Sequence, residues 1–257
     1  MELKSNKFTS VRYHDLFDYK LNKEELVKWQ YKNEKIKISK AWPTSLAKDR
    51  LQREKYSKNK IKIAKGAVKL ISKIPTVKFV GITGALAMNN ANKDGDIDLM
   101  IITKSGFLWT TRLFAYLLIC LFGIQTRKPR VKNERDALCL NMWLDEEDMI
   151  WDKSDRNLYT AHEIAQIYPL INKNQTYEKF LYKNKWILDF WPNATVVQKS
   201  ESPSTKHCVL CTILEPIAFW SQYLYMKNKI TREVVTPTRA IFHPNDWGKI
   251  VLSKLTS

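Results

Sequence analysis

Residues 77–82 and 96–103 are two short runs of β-branched and apolar side chains, and the stretch between them carries Gly84 and the turn dipeptide Asp94-Gly95. Runs of this length and composition suit buried strands, and Asp-Gly between them is a strong turn signal. The second run alternates. Asp96, Asp98, Met100 and Ile102 fall on one face, and Ile97, Leu99 and Ile101 on the other. A third run over residues 137–144 has the same character, with Cys139, Asn141 and Trp143 expected on one face and Leu138, Leu140, Met142 and Leu144 on the other. Whatever else the chain does, it must build a sheet around these three segments.

The remainder reads as helix. Asn22 followed by Glu24 and Glu25 predicts a capped short helix. Thr44 and Ser45 are placed to cap a long basic helix running to Ile74, with Ile63, Ala67, Leu70, Ile71 and Ile74 as its apolar stripe and Pro75 as its stop. Further helices are expected over residues 109–123, 157–168, 177–190 and 208–227, with a Ser- and Lys-rich linker before the last. Only 7 glycines in 257 residues, against an average near 7%, argue against a turn-dense all-β fold. The order predicts an α+β protein: a small mixed sheet backed by helices, with a helical lead-in over residues 1–43, a core over 44–150 and a helical region over 151–257. No fixed-period repeat or low-complexity tract is present.

The 43 Lys and Arg against 26 Asp and Glu give a net charge of +17, which attracts polyanions. RNA, DNA or nucleotide phosphates are therefore candidate partners, and a solvated lysine-rich surface is the plain alternative. Four cysteines, with no charged-then-apolar leader after Met1, fit a reducing, cytoplasmic setting with free thiols. The longest apolar stretches, residues 107–124 and 208–226, are interrupted by Arg112 and by Glu215 and Gln222, so buried helices rather than stable membrane insertion are expected.

Asp96 and Asp98 project from the same strand face and can share a divalent cation. Paired carboxylates suit Mg²⁺, which binds one or two of them together with substrate phosphates. A glycine turn at Gly84 would let backbone N–H groups approach a triphosphate.

In its order of strand, Gly84-Ala85, spacer, Asp96-Ile97-Asp98 and a later third strand, the segment from about residue 60 to 145 resembles the DNA polymerase β-like nucleotidyltransferase superfamily. The resemblance implies a sheet of nucleotidyltransferase type and metal-assisted transfer of a nucleotidyl group from a nucleoside triphosphate, with Mg²⁺ or Mn²⁺ as cofactor. It maps Asp96 and Asp98 onto the family's metal-binding pair and Gly84 onto its glycine. Ala85 stands where the family carries Ser or Gly, with Thr83 beside it. Where the family places a third carboxylate on the third strand, Asn141 is the polar residue in mid-strand. It can ligate a hard metal through its amide oxygen but brings no charge. Asp136 falls on the leucine face, and Asp145 lies about 13 Å further along by strand rise. The family's acceptors include RNA ends, small molecules and proteins. Three readings therefore stand: a nucleotidyltransferase, a degenerate member that binds nucleic acid or a partner without turnover, and an enzyme that nucleotidylates a partner protein encoded beside it.

Basic residues supplement the site. Arg127, Lys128, Arg130 and Lys132 are candidates for holding an anionic acceptor or a nucleic-acid backbone. Arg112 is a candidate for the nucleotide phosphates, or it packs along its stem and pairs with a carboxylate. His162-Glu163 opens like a zinc-protease motif, but Gln166 occupies the position of the second histidine, so zinc hydrolysis is rejected. Cys208 and Cys211 lack a second ligand pair. Phe219, Trp220, Tyr223 and Tyr225 form either a base-stacking platform or a packing face. Residues 13–26 are similar to the opening of a winged-helix-type module found ahead of some prokaryotic nucleotidyltransferase domains.

Overall fold

A computed structural model describes residues 9–32, 34–35, 48–127, 135–200, 209–242 and 246–256. Thr44, Ser45, Lys128, Arg130, Lys132, Cys208 and the side chain of Cys211 lie outside the described residues.

In chain order the elements are α1 (Thr9–Asp15), α2 (Lys23–Lys28), α3 (Lys48–Ile71), β1 (Val77–Ile82), α4 (Gly84–Ala87), β2 (Ile97–Thr103), α5 (Leu108–Leu121) and β3 (Leu138–Asp145). They continue with α6 (Leu158–Ala165), β4 (Tyr168–Asn172), α7 (Thr176–Lys183), α8 (Val209–Met226), β5 (Val234–Val235), β6 (Arg239–Ile241) and α9 (Trp247–Thr256). The strands form one six-stranded mixed sheet in the order β4-β1-β2-β3-β6-β5. β1 runs antiparallel to β2, and β3 runs parallel to β2. Helices back the sheet, as the α+β reading expects.

Two apolar clusters lie on opposite sides of the sheet. On one side Phe79, Met100, Ile102 and Leu144 pack with Tyr13 and Trp29 from the N-terminal segment and with Phe180, Trp191 and Val251 from the C-terminal one. On the other, Val80, Leu99, Ile101 and Trp143 pack with Ala64 and Ile71 of α3 and with Trp109 and Ala115 of α5. The alternation expected of residues 96–103 is therefore observed, because each face of β2 meets a different apolar layer.

Three details depart from expectation. In α3 the buried stripe is Ala64, Ala67, Val68 and Ile71, while Ile63 is 40% exposed. The inward face is turned by one residue, with buried Lys60 on it. Lys60 Nζ donates to Asp136 Oδ1 at 2.7 Å and to the Gly95 carbonyl at 2.6 Å, tying together the turns that enter β2 and β3. In β3 the register passes from Asp98 opposite Cys139 to Met100 opposite Met142, so Leu140 and Asn141 together face the single residue Leu99. This bulge moves Trp143 to the Leu138 and Leu140 side, contrary to a simple two-residue alternation. Finally, residues 166–168, expected to be helical, leave α6 for the edge strand β4, where Pro169 needs no ladder donor.

Asn22 caps α2 as expected, in a reciprocal box with Glu25. Among the described residues no helix is long and apolar enough to cross a membrane.

Candidate active site

The site forms where β1 leaves the sheet beside the start of β2. The Thr83 N–H donates to the Asp98 carbonyl at 3.1 Å, holding the turn against β2. Gly84 then takes φ +62°, and a Cβ placed there would stand 3.0 Å from Asp98 Oδ2. The left-handed backbone favours glycine, and the close approach adds to the preference. Any larger residue would press on the carboxylate.

The β3 bulge brings Asn141 beside the same group. Its Nδ2 donates to Asp98 Oδ1 at 2.6 Å. Because an ionised carboxylate only accepts, this bond fixes which end of the amide faces Asp98. The Asn141 Oδ1 is consequently turned away, buried and without a hydrogen-bond partner. Asp96 accepts from Arg127 Nη1 at 3.1 Å. Ligand atoms of Asp96, Asp98 and Cys139 lie within 4.8 Å of one another. Burial, with Asp98 and Asp96 nearby, pushes the Cys139 thiol well above its ordinary range, so its sulfur stays protonated. The carboxylate oxygens of Asp96 and Asp98 suit a hard cation such as Mg²⁺. Asn141 meets the pair through its amide N–H and holds Asp98 in place.

A cavity of about 540 Å³ opens over these residues. Thr83, Gly84, Ala85, Asp98, Arg127 and Asn141 line it together, so the structure gathers these six expected site residues. Arg112 is placed elsewhere. It lies between α5 and α8, where its guanidinium donates to Gln222 and sits 4.8 Å from the Tyr116 ring centroid.

The sequence reading passed over Glu163. It lines the cavity from α6, opposite the strand residues. Burial, reinforced by the Asp98 charge, raises its carboxyl to about 8, with the Gln166 hydrogen bond opposing the shift. The Gln166 that breaks the zinc motif is thus Glu163's partner, donating through Nε2 at 2.7 Å. The signal was present as His162-Glu163, but only the fold shows that α6 crosses above Asp98.

Beside Glu163, the buried His162 meets His14 of α1, with Nε2 to Nε2 at 3.1 Å. His14 Nδ1 bonds the Ser10 carbonyl at 2.7 Å, so that nitrogen carries the proton. His14 Nε2 is then the acceptor and His162 Nε2 the donor.

The acids set aside at the two ends of the β3 segment are engaged otherwise. Asp136 pairs with Lys60, and Asp145 accepts from the Gly106 N–H at 2.7 Å and the Glu147 N–H at 2.9 Å. Comparison of the chain with family models, with curated proteins and with solved structures finds no match in any of the three.

Proposed function

We propose that this protein is a metal-dependent nucleotidyltransferase, moving a nucleotidyl group from a nucleoside triphosphate to an acceptor nucleophile. The observation that carries the reading is the contact of Gly84 with Asp98. The turn residue is held in a left-handed conformation that favours glycine, and a Cβ there would stand 3.0 Å from the Asp98 carboxylate, two residues after Asp96. The strand order is consistent with it, since β1 antiparallel to β2 and β3 parallel to β2 bring the turn, Asp98 and Asn141 to one opening, with Asp96 beside Asp98 but outside the cavity lining.

In this reading Asp96 and Asp98 would hold Mg²⁺ or Mn²⁺, which would supply charge neutralisation to the triphosphate, and Asn141 would support the pair by holding Asp98 through its amide N–H. The acceptor oxygen forms a bond to the α-phosphorus as the bond to pyrophosphate breaks. Thr83, Gly84 and Ala85 form the wall against which the phosphates lie. Arg127 offers a guanidinium to the anionic donor or acceptor. Glu163 is the carboxylate across the cavity that, in its ionised form, takes the acceptor's proton, so transfer is expected to rise as the pH approaches about 8, a role that Asn141 cannot fill.

One observation favours the degenerate reading. Arg127 occupies Asp96, and a charge pair can substitute for a cation at a retired site. The two readings separate when wild type and the Asp96→Ala/Asp98→Ala variant are given Mg²⁺ or Mn²⁺ and each α-labelled nucleoside triphosphate, with mixed RNA and cell lysate as acceptors. Label transferred by wild type alone supports the enzyme and sizes the acceptor. No transfer, with equal nucleic-acid binding by both proteins, leaves the binding protein.

A further inference from the structure

The α5 and α8 pair is built inside out. The one charged residue of α5, Arg112, and the one of α8, Glu215, both turn into the seam between the helices. Glu215 accepts from the Thr110 N–H at 3.0 Å and the Thr110 hydroxyl at 2.7 Å, as well as from the Trp109 N–H. Gln222 donates to the Trp109 carbonyl at 2.8 Å. The outward faces are apolar instead. On α5, Phe114, Leu117 and Leu121 are 57%, 50% and 78% exposed. On α8, Ile217, Trp220 and Tyr225 are 62%, 56% and 73% exposed. No charged side chain interrupts either face among the described residues.

A soluble helix pair normally does the reverse, and monomers rarely expose a contiguous apolar patch beyond about 600 Å². Several large side chains per helix, each presenting on the order of 100 Å² at such exposure, exceed that. Such a face is suited to docking.

Charge selects the occupant. The protein carries +17, and exposed Lys227 and Lys229 follow directly at the end of α8, with Lys229 Nζ 3.8 Å from the Tyr225 ring centroid. A second copy would bring two such charges together. An anionic bilayer surface would attract them, and an apolar face containing Trp220 and Tyr225 with lysines at its end has the composition of an interfacial anchor. We infer that the α5 and α8 face seats this protein on an anionic lipid surface, lying in the interface without crossing it.

The test is flotation of the full chain with phosphatidylcholine vesicles with and without phosphatidylglycerol, following Trp emission for burial of Trp220. Wild type is expected to bind the anionic vesicles, to bind neutral ones at least about tenfold more weakly, and to release as salt rises. Leu117→Glu/Ile217→Glu, placed where both side chains are exposed, is expected to keep its thermal melt and lose at least about tenfold in vesicle affinity. Lys227→Glu/Lys229→Glu is expected to lose binding with the apolar face intact. Failure of wild type to bind anionic vesicles at low salt overturns the proposal. So does equal binding by the Leu117→Glu/Ile217→Glu variant, which would leave charge alone. A wild-type dimer in light scattering that ignores vesicles and that Leu117→Glu/Ile217→Glu splits would give the face to a second copy and overturn it as well.

Discussion

The cavity above β2 and the seam between α5 and α8 both draw polar side chains inward, and they differ in what is left over. In the seam the carboxylate of Glu215 meets the first amides of α5, and the amide of Gln222 bridges to both helices. One polar atom, the buried Arg112 Nε, is left without a partner there, and the larger surplus is apolar surface facing outward. In the cavity, whose wall also carries apolar side chains such as Phe17, Met88 and Phe180, polar groups are left over: Asn141 Oδ1 has no partner, and Glu163 stands near the Asp98 charge with its carboxyl raised to about 8. Folding normally removes both kinds of excess. Where it leaves a polar atom wanting, a small charged ligand can complete it, and where it leaves an apolar face, an extended apolar surface can.

The comparison can be broken at several points. The largest effect is expected from Asp98→Ala, which should lower nucleotidyl transfer by on the order of 10³-fold by radiolabel assay while the protein stays folded, since cation and triphosphate contacts supply several kcal/mol of transition-state stabilisation. Acid should come next. His14 has a folded pKa of about 4, below its ordinary 6.5, because burial disfavours the imidazolium. Its contribution is complete above pH 6.5 and is lost as the pH falls toward 4, on the order of 3 kcal/mol by linkage. His162 is shifted the same way and steepens the loss. Asp145, raised to about 6, and Glu163, raised to about 8, work in the opposite sense, their penalties easing as they protonate. Urea midpoints at pH 7 and 4.5 for wild type and His14→Gln isolate the histidine part, and the variant should lose less stability on acidification.

Glu215→Ala strands the Trp109 and Thr110 N–H groups and the Thr110 hydroxyl. A cost of about 2 kcal/mol is expected, read as a lower urea midpoint without change in transfer chemistry. Gly84→Ala should cost about 1 to 2 kcal/mol through its positive φ and also lower transfer, since its Cβ would meet Asp98 Oδ2. The smallest change is expected for Leu117→Glu in the free protein, within about 0.5 kcal/mol by thermal melt, because the side chain is already exposed.

Much of the central region was legible locally. Residues 77–82 form a strand at the expected limits, Met100 and Ile102 lie on one face of β2, and Gly84 with Asp98 stands at the opening. These features follow from β-branched runs, strand alternation and the special conformation of glycine. The edge strands β5 and β6 carried no signal because strands of two and three residues hold no period. Arg112 looked like a phosphate ligand because a cation at a helix start is ambiguous until its neighbours are known.

The sequence by itself determined the three central strands, the carboxylate pair on one face, the glycine turn and the +17 charge, all properties of neighbouring residues or of the whole composition. Only the tertiary structure decided that β3 bulges at Leu140 and Asn141, that Glu163 stands over Asp98, and that α5 and α8 hide their charges from solvent. Each of these depends on a segment far away in the chain: β2 sets the register of β3, α6 arrives after the third strand, and Glu215 comes more than a hundred residues after the amides it caps. Local pattern fixes which faces a segment has, and packing against distant segments fixes what each face meets.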